Sequence, residues 1–551
     1  MRPNARNRWL ALGIVLLVLT LVLPSAALAG PPNPNADDHA FYKTVTVVST
    51  NDFHGALVGQ VHSWSHGDMV GGAEWVAGYL NIVRKENPGG FLFLDAGDMM
   101  QGTLISNYFD GASTIQAFNE MGLDAMAIGN HEFDWGQEVL ADREHQAHFP
   151  FLAANIFYKD TTTRPDWATP YIVKPVQGIK VGIIGVALPE TPSVTNPVNV
   201  ANLDFTDADD AVNDLIDDAE AEGATMIVVA AHIGGYWPDF GEIEDFTCSL
   251  DSNKVDLVVS GHTHSRIDDV MCGIPVVQAY SSGTAFARVD FTVDKRTGEV
   301  DSYEMNYEPT TTYQTYYGNP AKYQRWDTGE WVEVAPDAAV AATVAYYEAQ
   351  VEDIKNEVIG ETTTAITRNY RYESAMGDWV TDIMRAYDPG IDFALTNSGG
   401  LRTDIDAGLI TFGEIFEAIP FDNTLVVVEL DGNEVRQVLE EGITGAHGVV
   451  QVSGLQFTFD YDAPVGNRIV GDVMDLSTSL PLDPATTYYV AVNDFMANGG
   501  DDYDTLPVNP QTNTYVLVRD IVVDWVKANS PFTPPDPAVE QRITALGTPP
   551  S

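Results

Sequence analysis

The chain is poor in cysteine, in positive charge and, past its first thirty residues, in long apolar runs. Cys248 and Cys272 are the only cysteines in 551 residues, too few thiolates for an iron–sulfur cluster or a cysteine-rich structural zinc module. Only 28 Lys and Arg stand against 79 Asp and Glu, a formal charge of −51. That balance argues against nucleic-acid duplexes and anionic membrane surfaces as partners, because a phosphate backbone calls for a basic face. It leaves a solvated acidic surface or Asp-rich loops that take calcium. Histidine is missing from most of the second half: ten of the eleven lie before Ser265, and only His447 follows.

The one long apolar run opens the chain. Arg2, Arg6 and Arg8 precede "LALGIVLLVLTLVL", and "PSAALAG" follows. A basic start, an apolar middle and a small-residue end make a secretory signal peptide over 1–29, with a signal anchor as the alternative. No cysteine follows to carry a lipid, and no second run of about 20 apolar residues occurs, so no membrane insertion is expected after the leader is removed. The expected location is secreted, extracellular or periplasmic. In an exported chain, cysteines 24 residues apart are compatible with a disulfide closing the loop around "VVSGHTHS", or else are two buried thiols.

The length suggests two or three domains. Over 42–295, short apolar runs end in polar or glycine-rich text: "KTVTVVSTNDFHG", "FLFLDAGDMMQG", "DAMAIGNHEFDWG", "KVGIIGVALPE", "ATMIVVAAHIGG" and "KVDLVVSGHTHS". These read as buried strands, with helical spacing between them in "GAEWVAGYLNIVRKEN" and "ADDAVNDLIDDAEAEG", which makes an α/β domain. Residues 296–360 read as a connector holding a long helix that starts at Pro336 and stops at Gly360. A second domain over 361–546 mixes strands ("FALTNS", "TLVVVEL", "TYYVAVN") with helices ("SAMGDWVTDIMRAY", "YVLVRDIVVDWVKAN").

In α/β sheets the loops at the carboxyl ends of strands converge, and here those loops hold the polar clusters. Asp52, His54, Asp98, Asn130, His232, His262 and His264 are seven potential ligands, three bearing oxygen and four imidazole. The mixture suits Zn, Mn, Fe or Co. Seven are too many for one ion but fit two sharing a carboxylate, about 3.5–4 Å apart, as in hydrolases where a bridging hydroxide attacks phosphorus. Taken singly, a strand-end Asp is an ordinary helix cap and His-x-His an ordinary surface pair. In "GNHEFDWG", His131 is open to three roles: metal ligand, proton carrier or turn residue.

The series "NDFHG", "GDMMQGT", "GNHEFDWG", "AHIGG" and "SGHTH" resembles the calcineurin-like metallophosphoesterases, and specifically the secreted 5′-nucleotidase and UDP-sugar hydrolase family. The resemblance implies a four-layer sandwich followed by an α+β nucleotide-binding domain. It implies one ion on Asp52, His54 and His264 and another on Asn130, His232 and His262, with Asp98 bridging. In the periplasmic UDP-sugar hydrolases glutamine commonly stands at the place of His264, so metal preference is open. His131 then faces the substrate phosphate, and Asp134 orients its ring.

In the second half, "TNSGGLRTDIDAG", "IPFDN" and "NDFMANGGDDYD" carry Asn397, Arg402, Phe421, Phe495 and Asp501. From pattern alone the two phenylalanines belong either to the core or to a base sandwich. The same resemblance makes Asn397 and Arg402 contacts of the phosphate and neighbouring groups, Phe421 and Phe495 base-stacking rings and Asp501 a ribose ligand. One stretch departs from the family: "YRYESAMGD" has Tyr370 where an arginine is frequent, Arg371 one place later as a weak substitute, and Ala375 and Asp378 where asparagines are usual. The implied function is hydrolysis of 5′-nucleotides to nucleosides and phosphate. The same two-metal core also serves 2′,3′-cyclic nucleotide phosphodiesterases and UDP-sugar diphosphatases, and a sulfur-ester hydrolase or a non-catalytic acidic binding protein is more remote.

Overall fold

A computed structural model describes residues 41–549 except 62–64, 66, 67, 239, 310 and 315–318. The expected leader over residues 1–29 lies outside the described residues. Among the described residues no helix is long and apolar enough to cross a membrane.

The apolar runs of the first half become two six-stranded sheets. The first has the order Val300–Pro309, Ala285–Asp294, Tyr42–Thr50, Phe91–Asp95, Ala125–Ala127, Phe151–Leu152, and its last four strands are parallel. The second has the order Arg266–Met271, Ile274–Ala279, Leu257–Ser260, Met226–Ala231, Ile179–Val186, Tyr171–Val176, with the middle four parallel. Successive side chains of a strand point to opposite faces. Val45, Val47, Leu92 and Leu94 therefore join Val181, Ile183, Val228 and Val259 in a core between the sheets. Val48 and Phe93 face outward instead, onto the layer that includes helix Ala73–Glu86. On the far side, Ile184, Val186 and Val229 pack with helices Ala208–Ala221 and Glu242–Ser249. The result is the four-layer α/β/β/α sandwich implied by the resemblance, with the carboxyl ends of the parallel strands along one edge.

Cys248 and Cys272 form a disulfide with 5.2 Å between their Cα atoms, tying helix Glu242–Ser249 to the turn after Arg266–Met271. A crosslink between residues 24 apart removes chain entropy from the unfolded state worth about 3 kcal/mol. Reductant should therefore lower the melting temperature of the native chain. It should leave a Cys248→Ser/Cys272→Ser variant, already less stable by about 2–4 kcal/mol, where it is; an unchanged native melt would show that the crosslink adds nothing.

In the second half a five-stranded sheet has the order Gln451–Ser453, Phe393–Thr396, Thr487–Asn493, Thr424–Asp431, Gln511–Leu517. Helices Ala375–Ala386, Phe412–Ala418 and Val518–Asn529 bury Trp379, Ile415 and Val522 on one face. Helix Gly432–Glu441 and strand Leu455–Asp460 cover the other with Val435, Val438 and Phe457.

Three local expectations shift. The long helix runs Ala338–Lys355: the Asp337 side chain caps it by accepting from the amides of Ala339 and Val340, and Asn356 ends it. Gly360 is no helix stop but lies inside strand Val358–Thr362, where a Cβ would come within 2.5 Å of Val526 Cγ1. Part of the supposed connector, Val300–Pro309, is an edge strand of the first sheet, with the helical run "YVLVRDIVVDWVKAN" likewise divided into strand Gln511–Leu517 and helix Val518–Asn529. In both places β-branched and aromatic residues at a sheet edge pair as strand despite the weak periodicity.

Candidate functional site

The loops that follow the parallel strands of the first half are joined by main-chain hydrogen bonds. Asp52 N donates to Gly97 O at 2.9 Å, His54 N to Asp98 O at 3.0 Å and Gly55 N to Met99 O at 2.9 Å. A third loop is tied in by Glu132, whose buried carboxylate accepts from the amides of Asp98, Met99 and Gly129, each at 2.8 Å. The loops approach so closely that a Cβ on Gly129 would sit 2.2 Å from Asp98 Oδ1. Asp52, His54, Asp98, His262 and His264 all have left-handed backbones, with φ between 48° and 74°. Such a conformation costs a non-glycine residue about 1–3 kcal/mol and persists where surrounding bonds over-determine it.

The side chains so placed form two groups. Ligand atoms of Asp52, His54 and His264 lie within 4.8 Å of one another, and so do those of Asp98, His232 and His262. Asn130 joins the second group, its Oδ1 lying 3.1 Å from both His232 Nε2 and His262 Nδ1. The groups adjoin, since His262 N donates to Asp52 Oδ1 at 3.0 Å. All seven residues singled out as ligands are thus brought together.

Their chemistry fits two divalent cations. His54 Nδ1 faces Gln101 O at 2.8 Å and His232 Nδ1 faces Ala96 O at 2.7 Å. A carbonyl accepts only from N–H, so the Nδ1 atoms carry the protons and each Nε2 is directed inward, as metal-binding imidazoles require. His54 Nε2 and His264 Nε2 converge to 2.9 Å. Burial chiefly pulls His54 and His262 down to about 3, which keeps those rings neutral. Burial also disfavours charge on His232, but Asp98, with Oδ2 3.1 Å from Nε2, outweighs it and pushes His232 up to about 10. Burial, aided by Asp98, raises Asp52 to about 7. A cation would displace the His232 proton and return Asp52 to its charged form, since ligands bind deprotonated.

His131 stands beside this cluster. Its amide donates to Asp98 Oδ1 at 2.8 Å, its Nδ1 pairs with Asp134 Oδ2 at 2.8 Å, and Thr195 Oγ1 donates to Asp134 Oδ1 at 3.1 Å. Burial disfavours the imidazolium, but Asp134 and Asp98 outweigh it and His131 is raised above its ordinary value.

The second half closes over the same place. Phe421 stacks on the His131 ring with centroids 5.6 Å apart and planes at 26°. The Arg402 guanidinium lies 5.8 Å from the Phe421 centroid and feels the charges of Asp98, Asp134 and Asp52. Further out, Asn397 Nδ2 donates to Asp501 Oδ2 at 2.8 Å, and Phe495 lies close against Gly500, where a Cβ would come within 2.3 Å of the ring. Arg371 is on an exposed turn, where its amide donates to Asn369 Oδ1 and its carbonyl accepts from Tyr461 OH.

Sequence reading missed several supports. Glu132 is one; in "GNHE" it reads as an ordinary acid beside Asn130 and His131, while its three backbone partners are set by tertiary packing. Asn51 is another: it donates to Asp52 Oδ2 at 2.6 Å and to Tyr280 O at 2.5 Å and accepts from Ala279 N at 2.8 Å. Its place beside Asp52 in "NDFHG" was the available signal. Thr195, which steadies Asp134, had none.

A two-cation ligand set at the strand ends of a four-layer sandwich defines a phosphoesterase core, and comparison with known proteins agrees. Residues 45–266 match the calcineurin-like phosphoesterase family model and residues 354–507 the 5′-nucleotidase C-terminal domain. The crystal structure of a 5′-nucleotidase precursor from Thermus thermophilus is 30% identical, with a TM-score of 0.77 over 92% of this chain and 100% of that one. A 5′-nucleotidase of Vibrio cholerae is 27% identical over 94% of this chain and 97% of its own. A trifunctional nucleotide phosphoesterase of Bacillus subtilis is 29% identical over 83% of this chain, which spans 32% of that protein's length. The chain belongs to the 5′-nucleotidase family of calcineurin-like metallophosphoesterases.

Proposed function

We propose that the protein is an exported phosphohydrolase that releases phosphate and a nucleoside from 5′-nucleotides. One observation carries the reading: Phe421 and Arg402 of the second half meet His131 and the Asp98 cluster of the first, so nucleotide-recognising chemistry adjoins phosphate-cleaving chemistry. In this reading the first unit binds two cations and the second, joined by helix Ala338–Lys355, binds the nucleotide. Asp52, His54 and His264 would hold one divalent ion and Asn130, His232 and His262 the other, and Asp98 would supply anionic charge to both. Such ions supply charge for the phosphoryl oxygens and acidify the attacking water.

The chain's own groups do the rest. Arg402 and His131 place positive charge where the phosphoryl oxygens gain negative charge. His131 keeps Nδ1–H on Asp134, which leaves Nε2 to give a proton to the departing 5′ oxygen. Phe421 and Phe495 present faces for the base, Asp501 accepts from the ribose hydroxyls, and Asn397, whose amide donates to Asp501, orients that carboxylate. Export is supported by the disulfide, which belongs to oxidising compartments.

The test is hydrolysis of AMP, ADP, ATP, 2′,3′-cyclic AMP and UDP-glucose, followed as free phosphate for the three 5′-nucleotides and by chromatography of the products for the other two (a nucleoside monophosphate from cyclic AMP, UMP and glucose 1-phosphate from UDP-glucose), with metal content measured on the same sample. AMP should turn over fastest with about two Zn, Mn, Fe or Co per chain. Metal-loaded protein that hydrolyses none of them would sink the reading. Preference for cyclic AMP or UDP-glucose would move the assignment to a phosphodiesterase or a diphosphatase.

A further inference from the structure

His447, the single histidine of the second half, is outside the metal cluster and has no part in the mechanism above. Its surroundings are specific. Nε2 lies 3.1 Å from Asp502 Oδ2 and Nδ1 lies 3.7 Å from Asp501 Oδ1. Both aspartates are in left-handed conformation, φ 55° and 61°, shortly after Gly499 at 97°. Two successive non-glycine residues in that region hold only where outside groups pin them. The pins are visible on both sides. Asn397 Nδ2 binds Asp501 Oδ2 at 2.8 Å, and Asn397 is itself held by Asn493 Nδ2 on its Oδ1 at 2.9 Å. A carboxylate is acceptor-only, so His447 Nε2–H donates to Asp502. Asp501 Oδ2 is thereby committed, and Oδ1, with only the more distant His447 Nδ1 beside it among the described residues, is the oxygen left for a ligand.

We propose that His447 is a positioning residue that clamps the strained Gly499–Asp502 turn, so that Asp501 Oδ1 faces the vicinal diol of the substrate's ribose; this rests on the nucleotide reading above. Burial pushes Asp501 up to about 6, while His447 and Asn397 pull it the other way. Loss of His447 would then both loosen the turn and favour the protonated acid, which is a poorer double acceptor. The charge of His447 also acts on Glu242 of the first half, so the clamp sits near the meeting of the two halves.

The experiment compares native protein, His447→Ala and His447→Gln on AMP and on 2′,3′-dideoxy-AMP, with a melting curve for each. Losing one hydrogen bond to a charged partner should raise KM for AMP about tenfold, leave kcat within about twofold and leave kcat/KM for the dideoxy substrate unchanged. Gln, which can still donate to Asp502, should restore most of the KM. An unchanged KM for AMP would overturn the proposal, as would equal losses on both substrates, which mark a merely structural histidine. Native protein that hydrolyses neither nucleotide removes the function reading itself, a distinct result that takes the clamp with it.

Discussion

Asp98→Asn is expected to reduce phosphate release by at least about a thousandfold, equivalent to about 4 kcal/mol of lost transition-state stabilisation, and to lower the metal content of the purified protein. Asparagine has the same shape and keeps an oxygen for the His131 amide, which now donates to Asp98 Oδ1 at 2.8 Å. It removes one negative charge and places an NH2 where Oδ2 stands 3.1 Å from His232 Nε2. Two cations pressed close together need anionic charge between them, and a neutral amide supplies only a dipole. Asp98 is also the strongest influence that raises His232 against its burial, so the exchange alters a second ligand without touching it. Turnover and metal content are measured on the same preparation, with the melting temperature as control for folding. A variant that keeps both ions and most of its activity would remove Asp98 from the bridging place.

The contrast between Asp98 and Glu132 marks how far the sequence could be read. Asp98, Asp52 and the histidines sit in short motifs at the ends of apolar runs, and parallel α/β topology makes such ends converge. That rule needs only the pattern, so the α/β character of the first half and the ligand cluster were both legible, and the family resemblance added the four layers. Glu132 looks like one more acid in "GNHE", yet its carboxylate binds three amides from two loops, an arrangement only tertiary packing creates. The left-handed backbones of five ligand residues are equally hidden, because Asp and His enter that region more often than most residues yet still rarely, and only the tertiary bonds of the loops hold them there. The limits of the long helix differ from the local expectation for a related reason. Pro336 and Gly360 are helix punctuation by local rule, but Asp337 caps the helix and Gly360 serves a close approach to Val526. Phe421 shows the same limit in the second half: its motif named it as a stacking ring, and its face against His131 follows from how the halves meet.

Exchanging neighbours in "GNHE" should separate chemistry from metal binding. His131→Ala is expected to lower turnover by about 10²–10⁴-fold, the usual range for a general acid, while both ions remain. The ligand positions survive because the link from residue 131 to Asp98 runs through the backbone amide, which alanine retains. Asn130→Ala should act the other way and weaken one site, since Oδ1 is shared between His232 Nε2 and His262 Nδ1 at 3.1 Å each. Its activity should return in part with added metal, whereas that of His131→Ala should not. The His131 ring also supports Phe421, so a change in substrate affinity is expected alongside the loss of turnover; Asp134→Asn, which leaves the ring in place, isolates the proton-holding role. With Asp134 neutral, Nδ1 loses its charged acceptor and turnover should fall by less than in His131→Ala, with the stack intact. Loss of metal from His131→Ala, or its rescue by excess metal, would make His131 a ligand and undo this division of labour.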